Sequence, residues 1–186
     1  MGKIVVTEFV SLDDVFEAPG PAGDFEHAGW TFRFNRGEDG DKFKFDEHMA
    51  AEAQLLGRVT YEGFAAAWPS VTDDVGFADR MNSMPKYVVS ATLAKAEWNN
   101  STIIGIDDIE RVRDSHQGIL LVAGSGSLVR GLLKRKLVDE VRLMVFPIVL
   151  GSGQRLFDSA PLTRFALADS KPVGPDGVLV LTYTPA

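Results

Sequence analysis

The chain of 186 residues contains no cysteine, which excludes disulfide bridges, thiolate zinc sites and cysteine nucleophiles. It has no apolar run near the roughly 18 residues that cross a bilayer, and its first residues contain no small-residue cleavage site of a signal peptide. Basic residues are also in deficit: 19 Lys and Arg stand against 26 Asp and Glu, for a formal net charge of −7. Nucleic-acid binders usually present a basic surface, so this charge makes a nucleic-acid partner a poor prediction. We expect a cytoplasmic protein with a small-molecule partner.

Hydrophobic residues make up 45% of the chain, which is enough for the core of one domain over residues 1–186. Short apolar strands alternate with amphipathic helices, and this order predicts an α/β/α protein with a mostly parallel sheet. The turn Gly174-Pro175-Asp176-Gly177 predicts an antiparallel hairpin at the C-terminal end. The predicted strands are 3–10, 54–57, 86–90, 101–104, 119–123, 140–149, 164–173 and 178–184, and the first three predicted helices are 41–53, 61–67 and 73–82. Asp107 can cap a fourth helix that runs through Ser115, and a fifth helix follows the strand 119–123 and ends at Lys136.

The segment from residue 120 to 133 reads LLVAGSGSLVRGLL and places two glycines and two serines where a strand becomes a helix. Glycines allow close approach of a phosphate, and a helix N-terminus offers unpaired N–H groups with a favourable dipole. The site residues predicted here are Gly124, Ser125, Gly126 and Ser127. A turn in which Ser125 or Ser127 caps the helix explains the pattern equally well.

Two further strand ends carry groups that can bind an anion. Gly57 ends one strand, Arg58 can form a forked contact with a phosphate, and Thr60 can donate a hydroxyl or cap the next helix. Ser90 and Thr92 follow another strand and either contact a sugar or phosphate or begin a loop. Ligands of parallel sheets bind beyond the carboxyl ends of the strands, so the three ends together predict a nucleotide site.

Four segments carry a family resemblance, and in chain order they read LLGRVTYEGFAAAWP, KYVVSATL, ILLVAGSGSLVRGLL and LMVFPIVLGSGQRLF. They resemble the dihydrofolate reductase-like superfamily, in the branch of the reductase domain of the bifunctional riboflavin-biosynthesis deaminase/reductase. The resemblance extends from about Lys3 to Thr184 and implies the dihydrofolate reductase-like fold with NADPH as cofactor. In this sequence Ser125 stands where dihydrofolate reductases have the second glycine of a pair.

The resemblance also implies a role for each group of predicted cofactor residues. By this resemblance, the adenosine-side phosphates are held by Gly57, Arg58 and Thr60. The 2′-phosphate lies beside Ser90 and Thr92. The pyrophosphate faces Gly124 to Ser127.

Substrate residues are predicted from the loop after the first strand and from aromatic side chains. Asp13 is the catalytic candidate, because a carboxyl group can bind a substrate amide or pass a proton through water; a turn residue bonded to nearby N–H groups is the alternative. Trp30 and Trp68 can stack on a flat heterocycle, although aromatic side chains more often serve the core. The family pattern adds Phe146 and Pro147.

We therefore expect an NADPH-dependent reductase of a small heterocyclic or carbonyl substrate, such as a pteridine or an aminouracil riboside. The alternatives are a catalytically inactive nucleotide-binding or regulatory module and a structural α/β domain without a ligand. His27, His48 and His116 lack metal-ligand spacing, so no metal site is predicted. The apolar run 143–150 is consistent with a homodimer or with a buried central strand.

Overall fold

The computed structural model describes residues 1–21 and 23–186 and contains one eight-stranded sheet. Five α-helices connect or flank the strands. The strands are β1 (Lys3–Val10), β2 (Ala51–Gly57), β3 (Lys86–Val89), β4 (Ser101–Ile104), β5 (Ile119–Ala123), β6 (Glu140–Val145), β7 (Phe165–Val173) and β8 (Val178–Pro185), and the helices are α1 (Gly37–Ala50), α2 (Arg58–Ala67), α3 (Phe77–Ser83), α4 (Ile109–Asp114) and α5 (Gly126–Lys134).

The strands lie in the order β4-β3-β2-β5-β1-β6-β8-β7. Every pair from β4 to β6 is parallel, and β8 is antiparallel to both of its neighbours. The predicted α/β class and terminal hairpin are confirmed. Because β2, β5 and β1 are adjacent and parallel, their carboxyl ends meet at one edge of the sheet.

Successive side chains of β1 point to opposite sides of the sheet. Both sides are apolar, and helices cover both of them. Ile4, Val6 and Val10 pack with α4 and α5, whereas Val5 packs with α2 and α3. Trp30, and Phe43 from α1, belong to a third apolar cluster against β6 and β8. In the described part of the chain, no helix is both long and apolar enough to cross a bilayer.

Several predicted boundaries differ from those of the structure, and two of them differ for identifiable reasons. The first helix ends at Ala50 rather than 53, because Ala51 is extended and pairs with Ile119 of β5. Strand β6 ends at Val145 rather than 149, where Pro147 lacks the N–H that a longer ladder needs. The run 143–150 is thus half strand and half loop.

One part of the sheet lacks a covering helix. On the side that carries α5 elsewhere, the outward residues of β6 and β8 are apolar, and β7 adds Leu167 beside the polar Ser170. Leu167 is 56% exposed and Leu179 is 40% exposed, and an apolar groove of about 250 Å³ lies beside Leu143 and Tyr183. We call this surface the open sheet face, and it is formed by Leu143, Val145, Leu167, Leu179, Leu181 and Tyr183.

Candidate cofactor site

The ends of β2 and β5 are joined through one serine. The Ser125 hydroxyl accepts a hydrogen bond from the Gly57 N–H at 2.8 Å and donates one to Thr60 Oγ1 at 2.8 Å. Two of the three predicted strand ends are therefore in direct contact.

Glycine is required on both sides of this contact. A Cβ atom on Gly57 would lie 2.7 Å from Ser125 Oγ, and one on Gly124 would lie 2.9 Å from the Thr60 side chain. Gly124 also has a φ of +76°, which only glycine adopts readily. The two turns can therefore pack this closely only because both positions are glycine.

Ser125 itself occupies the left-handed region, with φ 74° and ψ 65°. This conformation costs a residue with a Cβ roughly 1–2 kcal/mol, and the two hydrogen bonds of its hydroxyl offset that cost. Because its hydroxyl contacts both Gly57 and Thr60, Ser125 joins the two turns in this arrangement. No cis peptide bond occurs among the described residues, so the Gly124–Ser125 peptide is trans.

Backbone N–H groups supply the remaining donors of this turn. The first helical hydrogen bond of α5 runs from the Val129 N–H to the Ser125 carbonyl, so the N–H groups of Gly126, Ser127 and Leu128 have no partner within the helix. Ser127 is exposed and adds a hydroxyl. This N-terminus carries the positive end of the helix dipole and favours an anion.

Arg58 lies at the start of α2 beside this turn. Its guanidinium contacts the Glu62 carboxylate, with 2.8 Å between Nη1 and Oε2, and both side chains are nearly half exposed. Exposed pairs of this kind contribute little to stability, so the guanidinium can leave Glu62 for a phosphate at small cost.

The third strand end lies one strand farther along the sheet, since β3 neighbours β2. Ser90 Oγ accepts hydrogen bonds from the N–H groups of Thr92 at 3.1 Å and Leu93 at 2.9 Å. It therefore begins a local turn, as the alternative interpretation predicts, and still has its hydroxyl proton for a ligand. Thr92 is exposed.

Asp13 connects two loops at the same edge of the sheet. Its carboxylate accepts hydrogen bonds from Ser11 Oγ at 2.7 Å, from the Leu150 N–H at 3.1 Å and from the Gly151 N–H at 2.9 Å. Burial acts to raise the pKa of Asp13, but these hydrogen bonds outweigh it and lower the pKa to about 2. The ionised group has no proton to pass at neutral pH, so the geometry favours the turn-residue interpretation.

Stacking of Trp30 on a ligand is contradicted by its burial. Trp30 and Phe146 are both 0% exposed, and their rings meet edge to face with centroids 5.4 Å apart. Trp30 Nε1 also donates to the Glu17 carbonyl at 2.9 Å. Both side chains belong to the core, so the prediction that they contact substrate is wrong. The neighbouring Pro147 is exposed.

The prediction for Trp68 is also wrong, because this residue lies at the opposite edge of the sheet. Trp68 follows the C-terminal end of α2 and packs on Phe77, with ring centroids 5.4 Å apart. Its carbonyl accepts a hydrogen bond from Asn82, whose own carbonyl accepts one from Lys86 at the amino end of β3. A helix that begins at one edge necessarily carries its last residues to the other.

Sequence reasoning missed a buried polar cluster on the α1 side of β1. The Thr7 hydroxyl donates to Glu47 Oε1 at 2.8 Å, and Lys44 Nζ lies 2.7 Å from Thr7 Oγ1 and 2.5 Å from Glu47 Oε1. Arg142 of β6 approaches the same carboxylate at 3.8 Å. Polar residues inside a strand of β-branched residues were the available signal.

Glu8, the next residue on β1, was missed as well. The residue is only 5% exposed, and its carboxyl group lies near the Gly124 N–H. Burial raises the pKa of Glu8 to about 8, while the ammonium of Lys44 acts in the opposite direction. An acid that is largely uncharged at neutral pH therefore lies directly against the glycine turn.

An acidic cleft opens near the loop that follows β1. It has a volume of about 660 Å³, and its lining residues are Glu17, Asp24, Phe25, Glu26, Ser152 and Gly153. The loop that lines the cleft also contacts the glycine turn, because Phe16, the residue before Glu17, lies where a Cβ on Gly126 would be. Three carboxylates make it unfavourable for a phosphorylated group.

The family profile of the RibD C-terminal domain matches residues 2–179. The chain belongs to this family. Three solved structures share its fold at 14–20% sequence identity. A protein from Shewanella sp. PV-4 assigned to riboflavin biosynthesis has 20% identity and a TM-score of 0.75, with 99% of each chain covered.

The other two structures are more distant in sequence. A pyrimidine reductase-like protein from Corynebacterium diphtheriae has 14% identity and a TM-score of 0.65, with 99% of this chain and 92% of that chain covered. Dihydrofolate reductase from Enterococcus faecalis, complexed with NADP(H), has 14% identity and a TM-score of 0.64, with 98% and 96% covered. Comparison with curated protein sequences gives no match.

Proposed function

We propose that this member of the RibD C-terminal domain family is an NADPH-dependent reductase. The proposal rests chiefly on the contact that joins Gly57, Thr60 and Ser125. That contact brings Gly57 and the turn of Gly124 to Ser127 together at the N-terminus of α5, and we call this arrangement the cradle. The unpaired N–H groups at the start of α5 favour the phosphates of a dinucleotide.

Each group of residues has a distinct part in this proposal. The N–H groups at the start of α5 bind the pyrophosphate, and Thr60 holds the cradle in shape through Ser125. Arg58 binds a phosphate on the adenosine side, with Ser90 and Thr92 beside it. NADPH supplies a hydride when bound, and the protein orients the acceptor and excludes water.

The substrate that we propose is a small heterocycle or carbonyl compound, with a pteridine or an aminouracil riboside as the leading choices. The family and the pyrimidine reductase-like relative support this class. The acidic cleft favours an uncharged or cationic face of the substrate. Asp13 anchors the loop beside this cleft rather than moving a proton.

Titration with NADPH, followed by fluorescence or calorimetry, tests the proposal. We expect saturable binding, and NADPH oxidation when pteridines, aminouracil ribosides or quinones are supplied. No response at millimolar cofactor would refute the cofactor assignment. Binding without oxidation across that panel would instead favour an inactive nucleotide-binding module.

Arg58→Ala tests which phosphate the guanidinium contacts. Because a charge-assisted hydrogen bond contributes about 1.5–3 kcal/mol, we expect NADPH affinity to fall about tenfold or more. NADH lacks the 2′-phosphate, so its affinity should change less. Arg111→Ala, on the exposed surface of α4, is the matched control. Equal losses for both cofactors would remove Arg58 from the 2′-phosphate site.

We also propose that the protein forms a homodimer through the open sheet face. None of the six residues that define this face is charged. Two copies that each carry a net charge of −7 repel one another, and an uncharged face lets them approach with the least repulsion. The occupant that we propose for this face is a second copy of the chain.

A further inference from the structure

Glu8 lies where the cofactor cradle meets the interior of the sheet. Strand β1 is parallel to β5, and Thr7 is paired with Ala123, the last residue of β5. The next residue on each strand therefore sits at the carboxyl edge, and there the Glu8 carboxyl group lies near the Gly124 N–H, whose proximity lowers the pKa of Glu8. The same glycine forms one wall of the cradle.

One oxygen of this carboxyl group lacks a partner. Glu8 Oε1 is buried and has no hydrogen-bond partner among the described residues. A buried polar atom left unpaired is unfavourable, and in a native structure such an atom calls for an explanation, such as a functional role. The position beside Gly124 makes a ligand in the cradle the source of that partner.

The surroundings of Glu8 favour its uncharged form. Burial raises its pKa to about 8. The charged groups that face it are Lys44, which opposes this effect, and Glu47, which adds to it; Arg142 from β6 approaches Glu47. An uncharged carboxylic acid has one donor and one acceptor on the same edge, the pattern that a primary amide also presents.

We propose that Glu8 is a cofactor-contacting residue whose carboxylic acid group pairs with the carboxamide of the nicotinamide ring. This inference rests on the proposed NADPH function. We assign Glu8 to the carboxamide and not to a phosphate, because the proposed function already assigns the phosphates to the N–H groups of α5 and to Arg58. A primary amide also matches both the donor and the acceptor of the acid.

The inference makes cofactor binding depend on the protonation of one group. If only the protonated form binds, NADPH affinity falls about tenfold between pH 7 and pH 9 for a group that titrates near pH 8. The 2′-phosphate of NADPH is fully ionised over this range and contributes no change. 2′-Phospho-ADP-ribose lacks the nicotinamide, so its affinity should not change over the same range.

Fluorescence titration and calorimetry of the wild-type protein measure this linkage without any turnover. At pH 8.5 in two buffers of different ionisation enthalpy, NADPH binding should take up about three quarters of a proton. The phospho-ADP-ribose fragment should take up none. An equal pH dependence for NADPH and the fragment would overturn the carboxamide assignment.

Glu8→Gln keeps a donor and an acceptor but cannot ionise. We expect it to bind NADPH at pH 7 within a few-fold of the wild type, with neither pH dependence nor proton uptake. Glu97→Gln, an exposed residue paired with Lys95, should retain the wild-type profile. If Glu8→Gln keeps the pH dependence, or if wild-type binding does not vary with pH, Glu8 is not the contact although NADPH binding stands. Absence of binding at every pH would overturn the proposed function and this inference together.

Discussion

Ser125 combines an unfavourable backbone conformation with two favourable hydrogen bonds, and substitutions can separate the two effects. Ser125→Ala keeps the φ of +74° and leaves the Gly57 N–H without its partner. We expect a loss of about 1–3 kcal/mol in the free energy of unfolding, measured with urea. Cofactor affinity should fall in parallel, because the cradle loses the contact that joins its two sides.

Ser125→Gly removes the same hydrogen bonds but relieves the backbone. Because glycine adopts positive φ at no steric cost, this variant should be more stable than Ser125→Ala by about 1 kcal/mol. A glycine variant as unstable as the alanine variant would show that the left-handed conformation stores no strain at this position.

At the scale of elements, Asp13 fastens the loop after β1 to the loop after β6. The carboxylate holds the N–H groups of Leu150 and Gly151. The pKa of Asp13 is about 2 in the folded protein, whereas its ordinary value, taken for the unfolded chain, is 3.8. The folded state thus binds fewer protons between these values, so the stabilisation is complete above about pH 4 and is lost as the pH falls through about 2.

Asp13→Asn tests this pH dependence. The amide cannot accept hydrogen bonds through both of its heteroatoms, so the variant should be less stable than the wild type at pH 6. The difference between their urea midpoints should shrink toward pH 3. Asp74→Asn, at an exposed position, should show no such convergence. A constant difference between wild type and Asp13→Asn would contradict the role of the ionised carboxylate.

At the scale of the whole molecule, the proposed homodimer uses the open sheet face as its interface. Leu181→Lys places a charge in the centre of this face, and burying an unpaired charge at an interface is strongly unfavourable. We expect a wild-type dimer and a monomeric variant in sedimentation velocity at tens of micromolar protein. Val75→Lys, at an exposed apolar residue outside this face, should remain dimeric. A monomeric wild type would refute the dimer.

Local patterns in the sequence were sufficient for much of the fold and for the cradle. Hydrophobic alternation, glycine turns and the final hairpin depend on neighbouring residues, so they predicted the β and α order and its mostly parallel sheet. The same local logic placed Gly57, Thr60 and Gly124 at strand ends. In a parallel sheet, strand ends share an edge, and for that reason the predicted residues meet in the structure.

Only the tertiary structure decided which side chains remain available to a ligand. Trp30 and Trp68 have the same chemistry, yet one is enclosed by Phe146 and the other lies at the far edge of the sheet. Glu8 reads as an ordinary polar residue until β5 brings the Gly124 N–H against it. Burial and partner choice depend on residues distant in the chain, whereas strand and turn formation depend on residues nearby, and this difference separates what the sequence determined from what it could not.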